Sequence, residues 1–169
     1  EDYTGLTGRS PMIPKWAFGL WMSKCSYRSQ EEVETVARAL REHHIPVDVI
    51  HIDGWQKMTN SGVWEWDLNR FPDPQGMIRT LRDLHIHLSL WMWPYLAVGA
   101  DSYEFCKQRG YLVMNQQGEV CTFHSAATND HYFAAFDFTN PEMVEWYQGL
   151  VRKVVQDGVG VIKTDFSEA

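Results

Sequence analysis

The chain has 169 residues, 44% of them apolar and 14% aromatic, with a formal net charge of -7. That length holds one domain with a real core, and so many aromatics exclude a disordered tail. An acidic chain without a basic cluster does not suit a phosphate backbone, so nucleic acid is not an expected partner. No apolar run approaches the roughly 20 residues that cross a bilayer, and no membrane partner is expected. The first residues lack the basic-then-apolar pattern of a signal peptide. Three scattered cysteines, Cys25, Cys106 and Cys121, suggest neither a disulfide framework nor a zinc knuckle. The expectation is a reduced, cytoplasmic protein. Eight tryptophans stand out, since indole faces suit sugar rings as well as large cores.

Residues 1–16 read as a lead-in segment, and a first strand is predicted over Ala17–Met22. Ser29, with Glu32 three positions on, makes a capping box. Val33, Val36, Ala37 and Leu40 then recur at helical spacing. Pro46 stops that helix and opens a second strand, Val47–Asp53. The connection from Gly54 to Pro74 is long for a strand–helix loop and carries Trp55, Trp64, Trp66 and Phe71. Asp73 caps the next helix, with Pro74 in its first position, and Met77, Ile78, Leu81 and Leu84 form its apolar stripe. A third strand, Ile86–Met92, precedes a short helix over Ser102–Arg109 and a hairpin of Tyr111–Met114 with Glu119–Phe123. Thr139 and Glu142 are read as another capping box, followed by a helix that Gly158 ends and a fourth strand, Gly160–Phe166.

Strands joined by helical crossovers imply parallel pairing and an α/β class. Side chains two apart on a strand share a face. Ile50 and Ile52, then Leu88, Leu90 and Met92, give apolar faces for helices, while the other faces turn polar at Asp53, Trp91, and Lys163 with Asp165. Polar groups gathered at the same strand ends are the pattern of a (β/α)8 barrel, whose reactive groups sit at the C-terminal mouth. The rival, a doubly wound sheet, usually carries a glycine-rich first turn, and Trp21-Met22-Ser23-Lys24 is not one. The expected architecture is therefore a TIM barrel of which residues 17–169 supply the N-terminal half, about four strands. A fourth strand without its covering helix leaves that sheet unfinished.

Lys163 beside Asp165 would keep the carboxylate ionised, as a nucleophile or charge stabiliser requires. A self-satisfied ion pair fits the spacing equally well. His51-Ile52-Asp53 is a weak metal pair, better explained by a core histidine beside a ligand-contacting aspartate. His85-Ile86-His87 resembles the histidine pair of metal-dependent amidohydrolases but sits at the wrong end of its strand. No metal and no cofactor are implied.

Several blocks together resemble glycoside hydrolase family 31. They are Pro14-Lys15-Trp16-Ala17-Phe18-Gly19-Leu20-Trp21, Val49-Ile50-His51-Ile52-Asp53, Trp64-Glu65-Trp66-Asp67 and Arg70-Phe71-Pro72-Asp73-Pro74. Leu90-Trp91-Met92-Trp93-Pro94-Tyr95, Phe136-Asp137-Phe138-Thr139-Asn140-Pro141 and Ile162-Lys163-Thr164-Asp165-Phe166-Ser167-Glu168 follow in the family's order. The last block is closer to the α-xylosidase branch than to the α-glucosidase branch. Gly54-Trp55-Gln56 departs from the small or Cys residue followed by aromatics that often comes after the family's His-x-Asp motif, so the sugar and linkage stay open.

The resemblance implies a retaining α-glycosidase acting on non-reducing-end α-xylosides or α-glucosides through a covalent glycosyl-enzyme. In it Asp165 matches the nucleophile, Asp53 the carboxylate that holds sugar hydroxyls, Trp91 a subsite wall and Lys163 the orienting cation. Trp55 and His51 join the expected substrate contacts. The acid/base carboxyl of such an enzyme would lie beyond Ala169, and the alternative is a catalytically incomplete carbohydrate-binding fragment. Open strand edges would then call for the rest of the barrel as partner, or for self-association.

Overall fold

The computed structural model describes residues 2–57, 62–125 and 131–166. In chain order the elements are α1 (Asp2–Thr7), a 3-10 turn (Lys15–Phe18), β1 (Leu20–Ser23), α2 (Gln30–Glu42), β2 (Val47–Ile52), α3 (Pro74–Asp83) and β3 (His87–Met92). There follow β4 (Tyr95–Ala97), α4 (Tyr103–Gln108), β5 (Thr122–Ser125), β6 (His131–Ala135), α5 (Pro141–Asp157) and β7 (Val161–Thr164). Strands β1, β2, β3 and β7 lie side by side in that order, every neighbouring pair parallel. This is the α/β arrangement that the strand–helix alternation predicts, with β1 and β7 at the two edges. No helix among the described residues is long and apolar enough to cross a membrane.

Local chemistry sets the element ends. Ser29 caps α2 by accepting the Glu32 N–H at 3.2 Å. The reciprocal arm of the box goes elsewhere: Glu32 accepts the Arg28 N–H at 2.6 Å and pairs with Lys24. Asp73 caps α3 through the Gly76 N–H, and Pro74 occupies its first turn. Gly158 ends α5 at φ +110°, in the left-handed region that a side chain would strain.

Two expectations are corrected here. Residues 17 and 18 are not strand: Pro14 opens a 3-10 turn closed by bonds from Ala17 N–H to Pro14 and from Gly19 N–H to Trp16, so β1 starts at Leu20. Asn140, not Thr139, caps α5, accepting from the Glu142 and Met143 N–H groups. Thr139 is already committed, donating both its N–H and its hydroxyl to Asp137.

One core lies between the parallel sheet and the helices. Ile50, Ile52, Leu88, Leu90 and Met92 meet Val33, Ala37 and Leu40 of α2, Met77, Ile78 and Leu81 of α3, and Val154 of α5. The 54–74 connection folds into this core through Trp55, Trp64 and Phe71, and an Arg70–Asp67 pair at 2.7 Å ties its far end. A second core was not foreseen. Strands β4, β6 and β5 form an antiparallel sheet in that order, burying Trp93, Tyr95, Leu96 and Phe133 with Tyr103 and Cys106 of α4 and Met143 of α5. The predicted 111–123 hairpin survives only as a bridge between Met114 and Val120; Thr122 and Phe123 pair with β6 instead. Short strands with mixed composition carry little periodicity, so this sheet does not announce itself in the sequence.

Candidate active site

Strand register assembles the site. His51 of β2 lies level with Ser89 of β3, and Trp91 of β3 lies level with Lys163 of β7. Positions two apart share a face, so Asp53 and Asp165, each two residues beyond a registered partner, stand at the C-terminal end of the same face. This is the face turned away from Ile50, Ile52, Leu88 and Leu90, which pack on the helices. The Asp165 N–H still donates to the Met92 carbonyl at 2.9 Å, so its backbone is held by the ladder just past the end of β7.

Lys163 sits between the two carboxylates. Its Nζ is 3.4 Å from Asp53 Oδ1 and 3.7 Å from Asp165 Oδ2. The side chains of Lys163, Asp165 and Asp53 are 46%, 38% and 27% exposed, so this trio faces open space rather than a sealed interior. Trp91 donates its indole N–H to Asp165 Oδ2 at 2.9 Å, and the Phe166 N–H reaches Oδ1 at 3.1 Å. These donors favour the charged form, and the Asp165 carboxyl is held below the usual carboxylate range. The Trp91 indole is the largest cause; the Phe166 N–H and then Lys163 contribute less. The expectation that Lys163 helps to keep Asp165 ionised holds, and the Trp91 donor, fixed at bonding distance, adds a larger influence than the partly solvated cation further off.

His51 is buried behind Asp53, with both ring nitrogens engaged. Nε2 lies 2.6 Å from Asp53 Oδ1 and Nδ1 lies 2.8 Å from Ser89 Oγ. The Asp53 oxygen accepts, which places a proton on Nε2, while Nδ1 shares the second hydrogen bond with the Ser89 hydroxyl. His51, expected among the substrate contacts, here places Nε2 on Asp53 and Nδ1 on Ser89. Trp55, also expected among the substrate contacts, lies deeper. It has no exposed surface, and its indole N–H donates to the Trp91 carbonyl at 2.8 Å. It backs the strand that carries Trp91.

His87 is stacked on Trp16, with ring centroids 3.8 Å apart, at the opposite end of β3 from the carboxylates. Among the described residues no group of three or more His, Cys, Asp or Glu side chains is placed to hold a metal ion. Glu168 lies outside the described residues. Sequence reasoning assigned no role to Ser89 or Phe166. Ser89 had a usable signal, a polar residue on the same strand face as Trp91, whereas the part played by Phe166 depends on its backbone angle.

A model of the glycosyl hydrolases family 31 TIM-barrel domain matches residues 10–169. "Alpha-xylosidase XylQ" of Lactiplantibacillus pentosus is 36% identical over 170 residues, covering 98% of this chain and 22% of its own length. "Alpha-glucosidase 2" of Bacillus thermoamyloliquefaciens is 41% identical over 172 residues, covering 99% of this chain and 21% of its own. Among solved structures, the family 31 dextranase FjDex31A of Flavobacterium johnsoniae, complexed with glucose, superposes with a TM-score of 0.87 at 26% identity. It covers 97% of this chain and 20% of its own. A family 31 α-xylosidase from a soil metagenome, complexed with xylose, gives 0.78 at 30% identity, with 94% and 23% covered. The chain therefore spans about a fifth of the length of the relatives it matches.

Proposed function

The chain belongs to glycosyl hydrolase family 31, and from that premise we propose that it carries the nucleophile side of a retaining α-glycosidase active site. Asp165 is the nucleophile. Its oxygen attacks the anomeric carbon as the bond to the leaving oxygen breaks, giving a glycosyl ester that water then cleaves. Trp91 and Phe166 donate to the carboxylate without neutralising it, so it stays ionised yet aimed. Lys163 adds positive charge between Asp165 and Asp53, and Asp53, with Oδ1 taken by His51 and Lys163, has Oδ2 without a partner among the described residues, able to accept from sugar hydroxyls. The half-buried face of Trp91 forms one wall of the sugar pocket.

Retaining cleavage also needs a second carboxyl about 5–5.5 Å from the first, to protonate the leaving oxygen and later to activate water. In this reading Asp53, held by its two donors, serves the sugar, and the proton donor is a carboxyl outside the described residues. The substrate class that fits is an α-linked xyloside or glucoside, bound by its non-reducing end. The names of the relatives support both sugars, and the Lys163–Phe166 block leans towards xylose.

The observation carrying this reading is the Asp165 carboxylate itself, held by Trp91 and shared through Lys163 with Asp53 on the inner face. It is tested by incubating the polypeptide that contains this chain with activated fluoro-sugars of the xylose and glucose series. A covalent adduct on Asp165 is expected, and one on any other residue overturns the assignment. Sugar binding with neither adduct nor turnover would leave a carbohydrate-binding role instead.

A further inference from the structure

Phe166 follows the proposed nucleophile and has φ +53°, in the left-handed region that a bulky side chain rarely occupies. Such a backbone persists only where its surroundings impose it, and it clusters where function needs a group aimed. Two contacts meet at this position. The residue's own N–H donates to Asp165 Oδ1 at 3.1 Å. The left-handed backbone sends the ring edge-on to Trp91 and Trp93, with centroids 6.3 Å and 6.1 Å away and interplanar angles of 75° and 71°. Trp91 is the side chain whose N–H is on the other oxygen of Asp165, Oδ2. One residue therefore bears on both oxygens, directly through its amide and indirectly by flanking the indole.

We propose that Phe166 is a positioning residue for the nucleophile, its amide and its ring, which the left-handed backbone places against Trp91 and Trp93, together setting the angle at which the Asp165 carboxylate meets the anomeric carbon. This rests on the reading of Asp165 as nucleophile and deepens it. Phe166 is 47% exposed, so among the described residues it is not a core residue whose only task is to fill space.

The test compares Phe166→Gly, Phe166→Ala and Phe166→Tyr in the polypeptide that carries this chain. Rates of covalent trapping by the fluoro-sugar are measured against pH, together with the dissociation constant of the non-covalent complex. Glycine adopts the left-handed turn without strain, so Phe166→Gly removes the ring and the constraint with the least risk to folding. Its trapping rate is expected to fall about tenfold to a hundredfold, the scale of a small misplacement of a reacting group. Its acidic limb should move to higher pH while the dissociation constant holds. Phe166→Ala should behave alike, and Phe166→Tyr should trap at nearly the wild-type rate. A Phe166→Gly variant with the wild-type rate and pH profile overturns the proposal. So does a variant that loses only affinity, since that marks a plain sugar contact. Wild-type protein labelled on a residue other than Asp165 overturns the function reading first and this one with it.

Discussion

The indole N–H of Trp91 donates to Asp165 Oδ2 at 2.9 Å, between adjacent parallel strands whose register places Trp91 beside Lys163. An aromatic wall for a sugar pocket needs only a ring face. This one also presents a donor to the carboxylate, and the two tasks can be separated by substitution.

Trp91→Phe keeps an aromatic face and deletes the donor. The bond stabilises the ionised carboxylate, so without it Asp165 holds its proton to higher pH. The nucleophile must be ionised, and the acidic limb of the kcat/KM profile is therefore expected to shift upward in pH. The alkaline limb, which reports the proton donor, should stay in place. A pH–rate series on the two proteins checks both limbs.

Ser89→Ala removes the partner of His51 Nδ1 in a fully buried position and leaves that nitrogen unpaired. His51 then orients Asp53 less firmly, and Asp53 is the carboxylate proposed for substrate hydroxyls. Losing about 1 kcal/mol of ground-state binding corresponds to roughly a fivefold rise in KM with kcat little changed. Steady-state kinetics give the split directly.

Trp55→Ala should be costly for stability rather than for chemistry. Its ring packs on Trp66 at 4.9 Å and Trp64 at 6.1 Å inside the core, with no exposed surface. Emptying such a site costs about 3–5 kcal/mol, whereas Trp55→Phe, which mainly forfeits the bond to the Trp91 carbonyl, should cost about 1–2 kcal/mol. Denaturant midpoints of the two variants rank them.

Arg41, in the last turn of α2, donates to the carbonyls of Leu84 at 2.8 Å, Val47 at 2.6 Å, and Ile45 and His85 at 3.2 Å each. This fork staples the starts of β2 and β3, at the opposite end of the sheet from the carboxylates. Arg41→Lys keeps the charge and cannot reproduce the fork, so a loss of about 1–2 kcal/mol is expected with unchanged KM. Thermal melting and kinetics read the two effects separately.

Asp67 is held below the ordinary carboxylate range, first by its hydrogen bond from Arg70. A lowered folded-state pKa adds stability that is present above the unfolded pKa and disappears as pH falls through the folded one. Asp67→Asn deletes this contribution, so its stability should lie closest to that of the parent at strongly acidic pH and fall short of it as pH rises to neutrality. Urea unfolding at a series of acidic pH values checks the trend.

Much of this protein was legible from residue order alone, because the decisive signals were local or periodic. Alternation within a strand separated Ile50 and Ile52 from His51 and Asp53, and Ser29, Asp73 and Gly158 marked helix ends through groups only a few residues away. The motif blocks pointed to the family and to Asp165, Asp53, Lys163 and Trp91. Tertiary structure decided what depends on partners distant in sequence. It buried Trp55 behind Trp91, set His51 against Asp53, and raised an antiparallel sheet from segments with no clear period. It also ranked a neutral indole above an ammonium as the influence on Asp165, because hydrogen bonding falls off over tenths of an ångström and such distances arise only when strands separated by some seventy residues are brought into register.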